Sequence, residues 1–234
     1  MPATQHERIR NQRAVILAVD IGGSHIKLKL SNADEELREV SGADFNPISM
    51  IKTIKRLTEG KPFDKVSIGY PGPVVHNKIL AEPHNLGPGW VKFNFEKALG
   101  KQVKIVNDAL MQAVGSYSGR RMLFLGLGTG LGAAMIAENV TQPMELAHLP
   151  YKKGKTFEDY VGKRGLQKLG IKKWRKNIFE IVDYLTAALE PDSIVIGGGN
   201  VTKLDRMPPK CRVGSNANAF TGGFAIWENK DLII

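Results

Sequence analysis

The stretch that decides the fold is Ala14-Val15-Ile16-Leu17-Ala18-Val19-Asp20-Ile21-Gly22-Gly23-Ser24-His25-Ile26-Lys27. An apolar run rich in β-branched residues that enters an acid and two glycines reads as a buried strand ending at a tight turn. The alternation resumes through Ile26, Leu28 and Leu30, so the turn joins two strands. Two jobs suit such a turn. It can shape a hairpin and nothing more, or it can lay its amides against a phosphate, because glycine lets the backbone come close. In the second case Asp20, at the strand end, holds a phosphate-bound magnesium ion through water.

Working outward, residues 14–20, 26–31 and 36–41 read as a three-stranded meander. Ile48, Ile51, Ile54 and Leu57 recur at helical spacing until Gly60-Lys61-Pro62 stops them. Val66 to Gly69 is a short buried strand entering Tyr70-Pro71-Gly72-Pro73. Val103 to Val106 is another, ending at Asn107-Asp108, with a helix over Ala109 to Tyr117. A second unit then repeats the plan: Met122 to Leu125, the glycine turn Gly126 to Gly132, and Ala133 to Ile136. Helices are expected over 156–169 and 172–190, followed by the strand Ser193 to Ile196, which runs into Gly197-Gly198-Gly199-Asn200. Ala217 to Trp227 reads as a final helix packed back on the core. Three strand-to-glycine turns in this order imply two α/β lobes facing a shared cleft. The expected division is a loose or disordered arm over 1–13, one lobe over 14–108 and a second over 109–234, with the last helix returning to the first lobe.

Composition narrows the partners. No apolar run among the 234 residues is long enough to span a bilayer, and no secretory signal opens the chain. The single cysteine, Cys211, leaves no internal disulfide or multi-cysteine zinc site. A reducing, cytoplasmic setting is expected. The net charge of +10 is uneven. Between Lys152 and Lys176 ten basic residues face only Glu158 and Asp159, a net +8 over 25 residues. Such a segment attracts polyanions, or is a lysine-rich helix face in water.

The ordered motifs resemble the ROK group of actin-like sugar kinases, from about Val15 to Trp227. Asp20 to Lys27 resembles that group's first phosphate motif, Gly128-Thr129-Gly130-Leu131-Gly132 its second, and Gly197-Gly198-Gly199 its adenosine-side motif. Gly69 to Pro73, Asn85-Leu86 before Gly89-Trp90, Asn107-Asp108-Ala109 and Glu145-Leu-Ala-His148 follow in the group's order. The chain is most similar to the polyphosphate glucokinases. The resemblance implies a two-lobed actin-like (ribonuclease H-like) ATPase fold with a central cleft. It implies a glucokinase moving a phosphoryl group from polyphosphate, ATP or both to the 6-hydroxyl of glucose. Gly22, Gly23, Ser24, Lys27, Gly128, Thr129 and Gly130 would cradle the donor, with Mg²⁺ near Asp20 and Gly197 to Gly199 on the adenosine side. Asn85, Asn107, Asp108, Glu145, His148 and Glu158 would grip the sugar, with Asp159 a rival to Glu158.

Asp108 would be the base that takes the sugar's proton. Read from the residues alone, an Asn-Asp pair at a strand-to-helix boundary reads first as a helix cap, and Glu145 with His148 can be an exposed surface pair. Zinc-bearing relatives follow the sugar histidine with a cysteine cluster, whereas Leu149 to Tyr160 has no cysteine. No structural zinc is therefore expected. The short arm leaves no room for the DNA-binding domain of repressor members, so no DNA partner is expected; a homodimer is. Two other readings stand beside the glucokinase. One is a strictly ATP-dependent kinase of mannose, fructose or an N-acetyl sugar. The other is a non-catalytic sugar- or polyanion-binding protein on the same fold.

Overall fold

A five-stranded sheet organises the first half of the chain in the computed structural model, which describes residues 13–234. β1 (Ile16–Ile21), β2 (His25–Leu30) and β3 (Glu36–Val40) form an antiparallel meander; β4 (Lys65–Tyr70) and β7 (Gln102–Asn107) extend it in parallel, giving the order β3-β2-β1-β4-β7. A two-stranded hairpin, β5 (Val74–Val75) with β6 (Lys78–Ile79), lies beside β7. There Asn77 finishes the edge: its side chain donates to Val103 O and accepts from Ile105 N. Leu17, Val19, Ile21, Ile26 and Leu28 project to one face, where helix α1 (Pro47–Leu57), Trp90 and Phe95 cover them. Asn46 caps α1 with Pro47 in its first turn, a start signal that fixes the helix where the periodicity predicts it.

The second half repeats the plan. β8 (Arg121–Leu127), β9 (Leu131–Ala137) and β10 (Val140–Met144) are antiparallel, and β11 (Ser193–Gly197) and β12 (Cys211–Val213) extend them in parallel, in the order β10-β9-β8-β11-β12. Leu123, Leu125, Ile194 and Ile196 face a long helix through its Trp174, Ile178, Ile181, Val182 and Leu185. The opposite face, with Met122, Phe124, Ile136 and Val195, packs on α3 (Asp108–Ser116) and α6 (Asn218–Glu228). α6 also touches the first sheet: Ser67 Oγ donates to Gly223 O, and Lys104 Nζ donates to Ile226 O at 2.8 Å. The two helices thus fill the layer between the lobes. Short α2 (Phe95–Leu99) precedes β7.

One expectation needs correction. The helix predicted over 156–169 is two. α4 (Phe157–Val161) stops at Gly162, whose extended backbone (ψ 176°) turns the chain before α5 (Lys163–Leu189) begins. α5 itself bends at Gly170, where φ is 76°. That bend falls between the helices expected over 156–169 and 172–190, whereas Gly162 does not interrupt the apolar spacing that periodicity reads. All but the last residue of the arm expected over 1–13 lies outside the described residues.

Candidate active site

Parallel strands β1, β4 and β7 end side by side, and the acids gather there. In register, Asp20 sits opposite Gly69, and Gly69 opposite Val106, one step before Asn107 and Asp108. Ligands of open α/β sheets bind at this carboxyl edge. Gly69 makes the approach possible: a β-carbon on it would lie 3.5 Å from the Asp108 Cα and collide with the Met111 side chain. From the other lobe, Gly132 presses on α3, where a β-carbon would stand 2.9 Å from the Ala109 methyl. Asp108 is therefore held between the first sheet and the β8–β9 turn.

The cap question has a geometric answer. Asn107 caps α3, its Oδ1 accepting from Ala109 N at 3.0 Å and Leu110 N at 3.2 Å, while its Nδ2 donates to Gly72 O at 3.1 Å. Asp108 thereby keeps one carboxylate oxygen uncommitted; the other accepts from Ala109 N at 2.7 Å. Burial pushes the Asp108 carboxyl up to about 7, helped by the negative charges of Asp20 and Glu145 and opposed by the Ala109 amide. Burial likewise lifts Asp20 to about 6, with Lys27 across the hairpin pulling it down and Glu36 pushing it up. The Asp20 charge disfavours ionisation of Asp108.

The glycine turns surround this pair. Gly22 N donates to His25 O and Gly128 N to Gly130 O, so those two amides are spent on turn geometry. Among the described residues the amides of Gly23, Ser24, Thr129 and Gly130 donate to no backbone carbonyl. Those four are left available to an anion. The third turn braces the second: Asn200 donates its backbone N–H to Leu127 O and its side chain to Gly128 O, both at 2.9 Å. Gly198, with φ of 82°, lies so close to Leu127 that no side chain fits. Gly197 packs on the Phe124 ring, and Gly199 borders open space.

The expected sugar-side residues converge less uniformly. Asn85 is exposed, with its β-carbon 3.4 Å from where one on Gly23 would be. Glu82, which the sequence reading passes over, pins that loop by accepting from the N–H groups of Gly89, Trp90 and Val91 at 2.9–3.1 Å. Glu158 sits on α4 with its carboxylate against Gly130, joining sugar side to phosphate side. Its rival Asp159 is occupied, accepting from Thr156 N at 3.0 Å in a capping box. Glu145 precedes and His148 ends a 3₁₀ turn whose Leu146 and Ala147 are buried; their exposed side chains lie 3.6 Å apart, and Glu145 is near enough to act on Asp108. Gly162 and Lys163 were also missed as site neighbours. Lys163 N donates to Thr129 O at 3.0 Å, seating the start of α5 on the second turn. Asn200 was legible in principle, as the polar residue directly after three glycines; Glu82 carries no such signal.

Among the described residues no group of three His, Cys, Asp or Glu side chains could hold a metal ion by itself. Asp20 fits one differently. Among the described residues no protein group hydrogen-bonds its carboxylate, and an ion sharing it would take water and phosphate oxygens, which suits magnesium.

Comparison with known proteins agrees with this arrangement. The chain is similar in structure to the inorganic polyphosphate/ATP-glucomannokinase from Arthrobacter sp. strain KM, with TM-score 0.76 and 20% identity over 90% of this chain and 97% of that one. It is also similar to a ROK family glucokinase from Streptomyces griseus in complex with glucose and AMPPNP: TM-score 0.75, 16% identity, 92% and 99% covered. A ROK family transcriptional regulator, a homolog of the E. coli MLC protein, shares the fold at TM-score 0.67 and 13% identity, covering 95% of this chain and 82% of that one. No curated protein matches the sequence. The actin-like two-lobed fold expected from the motif order is the fold found. The ROK family model matches residues 16–142, which span the Asp20 turn, the Asp108 edge and the second glycine turn; this chain belongs to the ROK family.

Proposed function

We propose that the chain is a sugar kinase that transfers a phosphoryl group from inorganic polyphosphate, ATP or both to the 6-hydroxyl of glucose. The observation that carries this reading is Asp108: a carboxylate with one oxygen uncommitted among the described residues, pushed up to about 7 by burial, next to Ala109, against which Gly132 of the second glycine turn packs. A base works best when its pKa lies near the working pH, because it is then both ionised and a good acceptor. Asp108 takes the proton from the attacking hydroxyl as the new bond to phosphorus forms. Asn107 orients it through the cap, and Asn85, Glu145, His148 and Glu158 hold the sugar ring. The free amides of Gly23, Ser24, Thr129 and Gly130 receive donor phosphate oxygens, with Lys27 beside Asp20 and Gly197 to Gly199 toward the adenosine of ATP. Asp20 would hold a magnesium ion, which when bound would neutralise charge on the donor, since phosphoryl transfer is mostly positioning and electrostatics.

The basic segment supports polyphosphate as a donor. Lys152 is paired with Glu180 and Arg175 with Asp205, which leaves eight exposed cations on the loop and along α5. Lys163 and Arg164 stand where α5 meets the second turn. A polymer extending past the turn meets this face, whereas ATP needs only the turn. The reading includes a cytoplasmic protein, and no helix among the described residues is long and apolar enough to cross a membrane. A matrix of donors against hexoses, run across a salt series, tests it. Glucose phosphate formed from polyphosphate, with a rate that falls as salt rises, is expected. Product from ATP alone leaves the basic segment without a role in donor binding, product from another hexose reassigns the sugar, and no product from any pair overturns the kinase.

A further inference from the structure

The groups expected to reach the sugar from the second lobe stand at the two ends of one loop. His148 closes the 3₁₀ turn and Glu158 lies in the first turn of α4, with residues 149–157 between. The two end side chains of the turn do not fix each other. The His148 and Glu145 side chains are 69% and 61% exposed, and their mutual contact is loose at 3.6 Å. What fixes the loop is Tyr151. Its ring meets three others edge-on: Tyr160 at 4.9 Å, Phe157 at 5.5 Å and Tyr184 at 6.3 Å between centroids. Its hydroxyl donates to Asn177 Oδ1 at 3.2 Å, and buried Asn177 is itself oriented by donating to Lys173 O at 2.8 Å.

The neighbours of Tyr151 tighten the same point. Lys152 lays its ammonium 4.4 Å over the Tyr151 ring and reaches Glu180 Oε2 at 2.6 Å. Tyr184 donates to the other Glu180 oxygen at 3.1 Å, and Tyr160 donates to Lys152 O at 3.2 Å. Main-chain bonds from Tyr151 N to Lys155 O (2.7 Å) and Phe157 N to Leu149 O (3.0 Å) close the loop on itself. Two of the rings Tyr151 touches, Phe157 and Tyr160, flank Glu158 in the chain, and His148 lies three residues before it.

We propose that Tyr151, braced by Glu180, is a positioning residue that sets affinity for the sugar by fixing the loop between His148 and Glu158. The proposal rests on the kinase reading above. The phosphate side is held by other parts, chiefly the Asn200 brace and the α5 start on Thr129, so loss of the tyrosine leaves the donor and the proton transfer in place. A packed, hydrogen-bonded loop is ordered before the ligand arrives, and a loosened one must be ordered by it, which weakens binding.

Steady-state kinetics of the full chain, together with hydrogen exchange of the 148–157 amides, tests this on Tyr151→Phe, Tyr151→Ala and Glu180→Gln. Tyr151→Phe and Glu180→Gln are expected to raise the sugar KM roughly two- to fivefold, about one hydrogen bond's worth. Tyr151→Ala is expected to raise it about tenfold or more and to speed exchange across the loop. The donor KM and kcat should stay within about twofold of the starting protein. Unchanged sugar KM in all three variants overturns the proposal, as does a donor KM that rises in step. Should Tyr151→Ala fail to fold, the Phe and Gln variants still decide. Should the unaltered protein turn over no hexose, the kinase reading has failed, and unchanged exchange in Tyr151→Phe and Glu180→Gln then overturns the loop assignment on its own.

Discussion

Asp108 carries two opposing consequences of one burial. Its carboxyl is pushed up to about 7, first by desolvation and then by Asp20 and Glu145. As a base it must be ionised, so kcat is expected to fall about tenfold per pH unit below 7 and level off above it. Initial rates across the neutral range check this; a rate that stays flat on both sides of pH 7 contradicts it. For stability the sign reverses. The folded chain binds the Asp108 proton more tightly than the unfolded chain, whose aspartates titrate near 3.9. Its contribution is therefore complete below that value and is lost as pH rises through about 7. Asp108→Asn removes the buried charge, so its melting temperature should exceed the native one by a few degrees at pH 8, and by less at pH 5. Thermal melts at the two pH values measure the difference; an equal or opposite offset contradicts the burial argument.

At the scale of elements, the crossing of α3 and α6 bears most of the architecture. A β-carbon on Gly222 would run into the Met111 carbonyl, and one on Gly115 into the Asn218 carbonyl. Gly222→Ala is expected to destabilise the fold by about 1–3 kcal/mol, through forced separation of the two helices. Chemical denaturation reads this directly, and an unchanged midpoint would mean the helices have slack. Such close crossings are not legible in a single sequence. Gly222-Gly223 sits in an apolar stretch and reads as ordinary helix, because nothing local says which backbone will approach. The glycine turns were legible for the converse reason: an apolar strand, an acid and two glycines announce a turn within ten residues. The cap was half legible. Asn107-Asp108 marked the boundary, but only the structure shows Asn107 taking the cap and leaving Asp108 an uncommitted oxygen. The break at Gly162 escaped notice, since its extended conformation serves a contact with Thr129 far away in sequence. β10 and β12 escaped as well: β10 contains Pro143 on an edge, and β12 has only three residues, two of them exposed.

Across the whole molecule, two sheets of the same strand plan share α3 and α6, so the site is assembled from both halves of the chain. Asp20 and Asp108 come from the first sheet and its edge, while Thr129, Gly130 and the cationic start of α5 come from the second. Neutralising Lys163 and Arg164 to glutamine is expected to raise the polyphosphate KM about three- to tenfold at low salt and to flatten its salt dependence. The KM for ATP should change by less than about twofold. Equal effects on both donors would place these cations at the turn itself, not along a polymer track. The measurement that bears most directly on the whole account is turnover of purified Asp108→Asn beside its affinity for glucose. Turnover is expected to fall by roughly 10²–10⁴-fold while glucose binds within about threefold of the native affinity. Turnover equal to that of the native protein would show that Asp108 is not the base.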